Sequence, residues 1–403
     1  MANIEARKDK NGNITSYRIK VFKGRDAEGK RLKPYCKTWK VPKGKNWSET
    51  KIQKELNKVA TLFEDECING LVVDNRQNFA QYAEYVINLK DRTGIKHKTI
   101  SLYKNLLQRI NFAIGHIKLT DLRPQHLNLF YEELSKDGVN ISTGGKLSAK
   151  TIREYHNLIS TILDQAEKEL LIPYNPATKA TPPKLQRKEI KALEIEEIKR
   201  IFDILKDEPI KWRVAIHLLA ASGCRRGELL GLKWGNIDFN KKQIFINNNI
   251  LYSPDRGIYE DTPKTESSIR YISLPDETLR MLKKYKIYYQ NFKNSLGSKW
   301  SGSEYVLTQE YGQPMHPDSV TGYCKKLEQK YNNLAQKHGW EPIKLTPHIF
   351  RHSQASILIY LKMDIVLVSK RLGHAQVSTT SDIYSHILKE ADAQAATKLS
   401  SIF

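Results

Sequence analysis

Acidic residues are in short supply in this chain. Its 403 residues carry 44 Asp plus Glu against 66 Lys plus Arg, a formal net charge of +22 with a pI near 9.6. Such an excess favours a polyanion through counterion release, with nucleic acid the first candidate and an anionic membrane or plain solubility the alternatives. Cysteine is scarce as well. Cys36, Cys67, Cys224 and Cys324 lie far apart and form no CxxC pair, which argues against a disulfide framework and against zinc knuckles. No stretch approaches the roughly 20 apolar residues of a membrane span, and the polar start has no secretory apolar core, so a cytoplasmic protein that meets no membrane is expected. There is no internal repeat and no long low-complexity run. With 40% hydrophobic residues the chain can pack cores in two or three domains and is not disordered.

The first segment reads as a small sheet. Ile4 to Lys8, Thr15 to Phe22 and Leu32 to Val41 are strand-like and are separated by the turn pairs Asn11-Gly12 and Glu28-Gly29. Residues 1–45 hold 14 Lys plus Arg against 4 Asp plus Glu, interleaved with Tyr17, Phe22, Tyr35 and Trp39. Two readings stay open: a sheet laid across a DNA groove with Arg18, Lys20, Arg31, Lys33, Lys37 and Lys40 at phosphates or base edges, or an ordinary solvated face over an aromatic inner one. From Trp47 to Cys67 the period turns helical, with Ser48 as cap, and this helix is expected to cover the sheet. After a boundary near Gly70 to Gln77, four amphipathic helices are expected at Phe79 to Leu89, Lys98 to Phe112, Arg123 to Asp137 and Ser148 to Leu170, ending at the Asn175-Pro176 turn. Lys96, Lys98, Lys104, Lys146 and Lys150 gather near helix starts and loops, either as a clamp on a DNA backbone or as solubilising charge.

Beyond a polar connector at Pro182 to Lys191, helices are expected at Ile195 to Leu205 and Trp212 to Ser222. Gly223 breaks the second one just before Arg225, and a new helix begins at Glu228. An arginine at such a junction is held from both sides, and its planar fork suits two phosphate oxygens. Asp261 to Pro275 reads as strand, tip, strand, with Lys264 near the end of a hairpin. Thr346 then offers an N-cap and Pro347 suits the first helical position, so His348 and Arg351 follow on one face. A short helix from Asp364 to Leu372 ends at Gly373 and leaves His374 just past it, with Tyr384 ten residues on. Histidines, arginine and tyrosine on separate short elements are poor core material and well suited to surround an anion. His348 and His352 have zinc spacing, but Ile349 stands where a zinc hydrolase carries its Glu, and no metal is expected.

Arg225 in Gly-Cys-Arg-Arg-Gly-Glu, Lys264 in Pro-Lys-Thr-Glu-Ser-Ser-Ile-Arg, His348 and Arg351 in His-Ile-Phe-Arg-His, His374 in Leu-Gly-His and Tyr384 in Tyr-Ser-His together resemble the tyrosine recombinase (phage integrase) family, and most of all the integrases of conjugative transposons. Ser222 and Cys224 stand where Thr and Leu are commoner in that pattern. The resemblance implies that Tyr384 is the nucleophile forming a covalent 3'-phosphotyrosine, that Arg225, Arg351 and His374 hold the phosphate, that His348 is the base and that Lys264 protonates the leaving 5'-oxygen. Because the ester energy is kept in the covalent intermediate, neither cofactor nor ATP is implied. Ionising a tyrosine of pKa ~10 at neutral pH costs roughly 4 kcal/mol, which is why a base is needed.

The fold implied is multidomain: a three-stranded sheet plus helix (α+β), an all-α domain, and a mainly α catalytic domain with a small antiparallel sheet. The expected parts are an arm-type DNA-binding domain at 1–72, a helical core-binding domain at 78–180, a linker at 181–192, a catalytic domain at 193–387 and a tail helix at 388–403 docking in cis or in trans. Implied partners are double-stranded DNA at core and arm sites, three further copies in a tetramer on DNA that passes through a Holliday junction, and accessory excision or DNA-bending proteins. A type IB topoisomerase, a noncatalytic DNA-binding regulator and a metal-dependent nuclease are the competing classes.

Overall fold

The computed structural model describes residues 2–377 apart from 11, 23, 26–27, 43–46, 69–76, 186–191, 263–265 and 303. They fall into two compact units, Met1–Arg187 and Lys188–Phe403.

The first unit opens with an antiparallel sheet of β1 (Asn3–Lys8), β2 (Ile14–Val21) and β3 (Tyr35–Lys40), with β2 central. Side chains alternate across it. Ile19 and Val21 are buried against Leu56, Ala60 and Phe63 of α1 (Glu49–Ile68), whose first amides bond back to Ser48. Pairing of Ser16 with Lys40 and of Arg18 with Thr38 puts Arg18, Lys20 and Lys40 together on the face turned away from that helix. Lys37 pairs with Ile19 and so sits on the helix side, 3.2 Å from Glu66 and over the Phe63 ring.

The same unit holds a second, all-helical core built from α2 (Phe79–Arg92), α3 (His97–Ile114), α4 (Pro124–Leu134) and α5 (Ala149–Lys168). Each start has a local cause: Asn78 and Gln81 form a capping box, Pro124 takes the first helical position, and Ser148 accepts from Thr151. Apolar stripes meet in a core that includes Phe79, Val86, Ile110, Leu127, Phe130, Ile159 and Ile162. Asn175 is buried because its amide serves as a cap, accepting from Ala177 and donating to Asp164.

The second unit begins with α6 (Ile195–Leu205), α7 (Ile210–Ser222) and α8 (Arg226–Leu230), followed by β4 (Ile237–Asp238), β5 (Gln243–Ile246), β6 (Asn249–Ser253), β7 (Gly257–Asp261) and β8 (Arg270–Ser273). Then come α9 (Asp276–Leu296), α10 (Pro317–His338), α11 (Pro347–Tyr360) and α12 (Ile365–Leu372). Val214, Ala215, Ile216, Leu218 and Leu219 leave α7 apolar around most of its circumference, so it runs through the core with α9 and α11 packed on it.

The strand, tip, strand pattern over 261–275 does not close a hairpin on itself. β7 pairs with β6, from which only three residues separate it, whereas β8 pairs with β5, bringing Ile272 beside Ile244. A short local turn satisfies β7 first, and the inward phase of Arg270 and Ile272 directs β8 to the other sheet. Among the described residues no helix is long and apolar enough to cross a membrane.

Candidate active site

Helix α7 ends in a left-handed residue, Gly223 (φ 60°). A Cβ there would lie 2.1 Å from Gln354 Oε1 and 2.9 Å from Leu372, so the chain turns where only glycine fits. Two residues on, Arg225 caps α8. Its amide donates to Glu228 Oε2 at 2.9 Å, its Nη1 to Glu228 Oε1 at 2.6 Å and its Nη2 to the Gly373 carbonyl at 3.0 Å. Two of these bonds, to different elements, hold the guanidinium and the third holds its backbone, and the side chain keeps 37% of its surface open.

Thr346 and Pro347 start α11 as the sequence suggests, with the threonine accepting from Ile349. Arg351, one turn in, is 3% exposed. Its Nη1 donates to the Gly223 carbonyl at 2.9 Å, while among the described residues its buried Nη2 has no hydrogen-bond partner. Burial, then the charge of Arg225, pull the Arg351 pKa down to about 9. It stays cationic at neutral pH but is short of negative charge. An unpaired buried donor costs on the order of 1–3 kcal/mol or more, a cost that an anion would remove.

Asp364 caps α12 by accepting from Val366 and Leu367, and Gly373 ends it in the left-handed conformation, which leaves His374 just past the helix. Burial, followed by the charges of Arg351 and Arg225, holds His374 near pKa 4. The same three causes, in the same order, lower His348. His348 and His352 meet edge-on at 5.3 Å, and His352 is pulled to about 4 by burial and then by His348 and Arg351. Neutral imidazoles beside two guanidiniums can donate or accept one proton each without adding to the repulsion.

Arg225, His348, Arg351 and His374 therefore converge, delivered by the α7–α8 corner, α11 and the end of α12. Lys264, Tyr384 and the tail at 388–403 lie outside the described residues. Of the residues expected at DNA, Arg18, Lys20 and Lys40 share one sheet face, although Lys20 is engaged by Glu5. Exposed Arg31 and Lys33 stand in the β2–β3 connection, Arg31 over the Phe22 ring, and Lys37 is on the opposite, helix-covered side. Lys96 caps α3, Lys98 and Lys150 occupy first turns, and Lys146 is exposed ahead of Ser148.

Glu228 and Arg270 escaped the sequence reading as site residues. Glu228 neutralises part of the cluster: burial alone would raise its pKa, but Arg270 and Arg225 outweigh that and hold it below the usual carboxylate value. Its signal was the spacing of three from Arg225. For Arg270 the signal was a cation in phase with Ile272 and Leu274, the inward positions of a short strand.

The phage integrase family profile matches residues 191–391, and the phage integrase SAM-like domain matches 78–181. A Tyrosine recombinase XerC-like protein of Caldanaerobacter subterraneus subsp. tengcongensis is 28% identical over 96% of this chain and 96% of its own. The ICEBs1 integrase of Bacillus subtilis is 28% identical over 81% of this chain and 78% of its own. Among solved structures, the Tn1549 transposon integrase bound to transposon right end DNA shares the fold with TM-score 0.65 and 20% identity, over 80% of this chain and all of that one. A lambda integrase tetramer on a Holliday junction matches with TM-score 0.55 and 17% identity, over 94% of each chain. The chain belongs to the phage integrase family and is a tyrosine recombinase.

Proposed function

We propose that this protein integrates and excises a mobile element by cutting and rejoining DNA at specific sites, the element being of the conjugative-transposon kind to which the names of the ICEBs1 and Tn1549 integrases point. The observation that carries the chemistry is Arg351, buried with one nitrogen unpaired among the described residues, beside the fixed guanidinium of Arg225. That socket suits the nonbridging oxygens of a scissile phosphate and the charge that grows on them in a pentacoordinate transition state. His374 supplies a further donor. Tyr384 attacks phosphorus, His348 takes its proton, the bond to the 5'-oxygen breaks, and Lys264 protonates that leaving oxygen. The motifs Pro-Lys-Thr and Tyr-Ser-His support the Lys264 and Tyr384 assignments. Reversal with a second strand rejoins DNA without ATP or metal.

In this reading 1–72 grips arm sites through the Arg18, Lys20 and Lys40 face, 78–180 closes on the core site with Lys96, Lys98, Lys146 and Lys150 at the backbone, and 193–387 does the chemistry. Four copies on two DNA sites pass through a Holliday junction, with accessory bending or excision proteins setting direction and the tail from 388 docking on a neighbour. The test is a suicide duplex carrying the site found by footprinting the element ends. A covalent adduct should form in EDTA and vanish in Tyr384→Phe, and strand exchange between two marked sites should follow. No adduct would leave a DNA-binding regulator, and an adduct without exchange a topoisomerase-like enzyme.

A further inference from the structure

We infer that Arg270 is a positioning residue for the phosphate-holding pair, fixing Arg225 through Glu228 and the His374 corner through the backbone of α12. The inference rests on the proposed function and adds a residue to it. Arg270 opens β8 in the inward phase of that strand, and its side chain is 7% exposed. All three guanidinium nitrogens are engaged within the protein: Nη2 donates to Glu228 Oε2 at 3.0 Å, Nε to the Arg371 carbonyl at 2.6 Å and Nη1 to the Ser268 carbonyl at 2.9 Å. Arg351 differs, because among the described residues its Nη2 has no partner. A buried fork with every nitrogen on a protein acceptor is poorly placed to meet substrate, so its work is done through its neighbours.

Those neighbours form a closed circuit. Glu228 Oε2 accepts from Arg270 and from the Arg225 amide, while Oε1 accepts from Arg225 Nη1. Arg225 Nη2 reaches the Gly373 carbonyl, and two residues back along the chain the Arg371 carbonyl returns to Arg270. Gly373 is seated directly on the fork: a Cβ on it would come within 2.9 Å of Arg270 Nη1 and 3.0 Å of the Ser267 carbonyl. Three elements, β8, α8 and α12, are thus locked by one side chain. Burying a charge pair stabilises a fold little against an apolar alternative, so this arrangement is better explained by the geometry it imposes. Lysine cannot replace it, since an ammonium on a flexible stem does not hold three acceptors in one plane.

Without Arg270, Glu228 loses one of its two hydrogen-bonded guanidiniums, and the end of α12 that carries Gly373 and His374 keeps only the weaker tie of Arg371 Nη2 to the Ser273 carbonyl of β8 among the described residues. The Arg225 guanidinium then drifts from the place where the phosphate oxygen develops charge. The test compares full-length wild type, Arg270→Gln and Arg270→Lys on a suicide duplex whose scissile linkage is either a phosphodiester or a methylphosphonate. On the phosphodiester, Arg270→Gln should form the tyrosine adduct about 100-fold more slowly, the loss expected of an ångström-scale misplacement. Its affinity for the duplex should stay within about twofold, because most phosphate contacts lie elsewhere. On the methylphosphonate, which lacks one charged oxygen, the gap between variant and wild type should narrow to about tenfold or less, because less charge has to be held.

A wild-type rate for Arg270→Gln, or an equal slowing on both linkages, would overturn the inference. If Arg270→Gln melts below the assay temperature, Arg270→Lys carries the test, with an intermediate slowing and the same dependence on linkage expected and a wild-type rate counting against the fork. An active wild type with an unimpaired variant sinks only the role of Arg270. A wild type that forms no adduct on either linkage sinks the proposed function and this inference together.

Discussion

Arg351, Arg225 and Arg270 bring three guanidiniums to one corner with Glu228 as their close carboxylate partner, and the histidines respond by staying neutral. His352 is the clearest case, 7% exposed and with its pKa drawn down to about 4 by burial, His348 and Arg351. In the unfolded chain the ring titrates near 6.5, so between these values the unfolded state binds more protons than the folded one. Its contribution to stability is complete above that unfolded value and is lost as the pH falls towards 4. Between pH ~7.5 and ~5 the loss should be about 2 kcal/mol, and His348 and His374, lowered by the same causes, change stability in the same direction. Urea unfolding at the two pH values checks this: His352→Gln should lose distinctly less stability on acidification than wild type, and an identical loss in both would refute the assignment.

The site stands on helix ends, and helix ends are where local sequence speaks most directly. Thr346, Pro347, Asp364 and Gly373 announce α11 and α12 because capping is a matter of a few adjacent atoms, and the placement of His348, Arg351 and His374 follows from them. What was not legible depends on distant partners. Pairing of β8 with β5 rather than β7 is decided by burial across the sheet, Lys37 changes face through a single step of alternation, and the Arg270 circuit spans residues more than a hundred positions apart. Gly223 tests the helix-end argument. Gly223→Ala combines a left-handed φ with a contact against Gln354 and should cost about 1–3 kcal/mol, read as a lower urea midpoint. It should also slow adduct formation, since the Gly223 carbonyl is what orients Arg351. A neutral effect on both would mean that the corner relaxes freely.

Across the whole molecule the positive excess of +22 is spread over both units, and the proposed function assigns only part of it to DNA. The two faces of the first sheet make that distinction measurable. Arg18 and Lys40 stand on the open face, whereas Lys37 is turned to α1 and paired with Glu66. Each lysine or arginine that neutralises a phosphate releases counterion, so the slope of log affinity against log salt counts such contacts at roughly 0.9 per phosphate on duplex DNA. Full-length protein on an arm-site duplex should therefore bind with a steep slope, and Arg18→Ala with Lys40→Ala should reduce its magnitude by about 2, one for each lost contact. Lys37→Ala should leave the slope unchanged and cost no more than about 1 kcal/mol of stability, the range of an exposed ion pair. Should Lys37→Ala flatten the slope while the double variant leaves it intact, the opposite face of the sheet would be the one that meets the backbone.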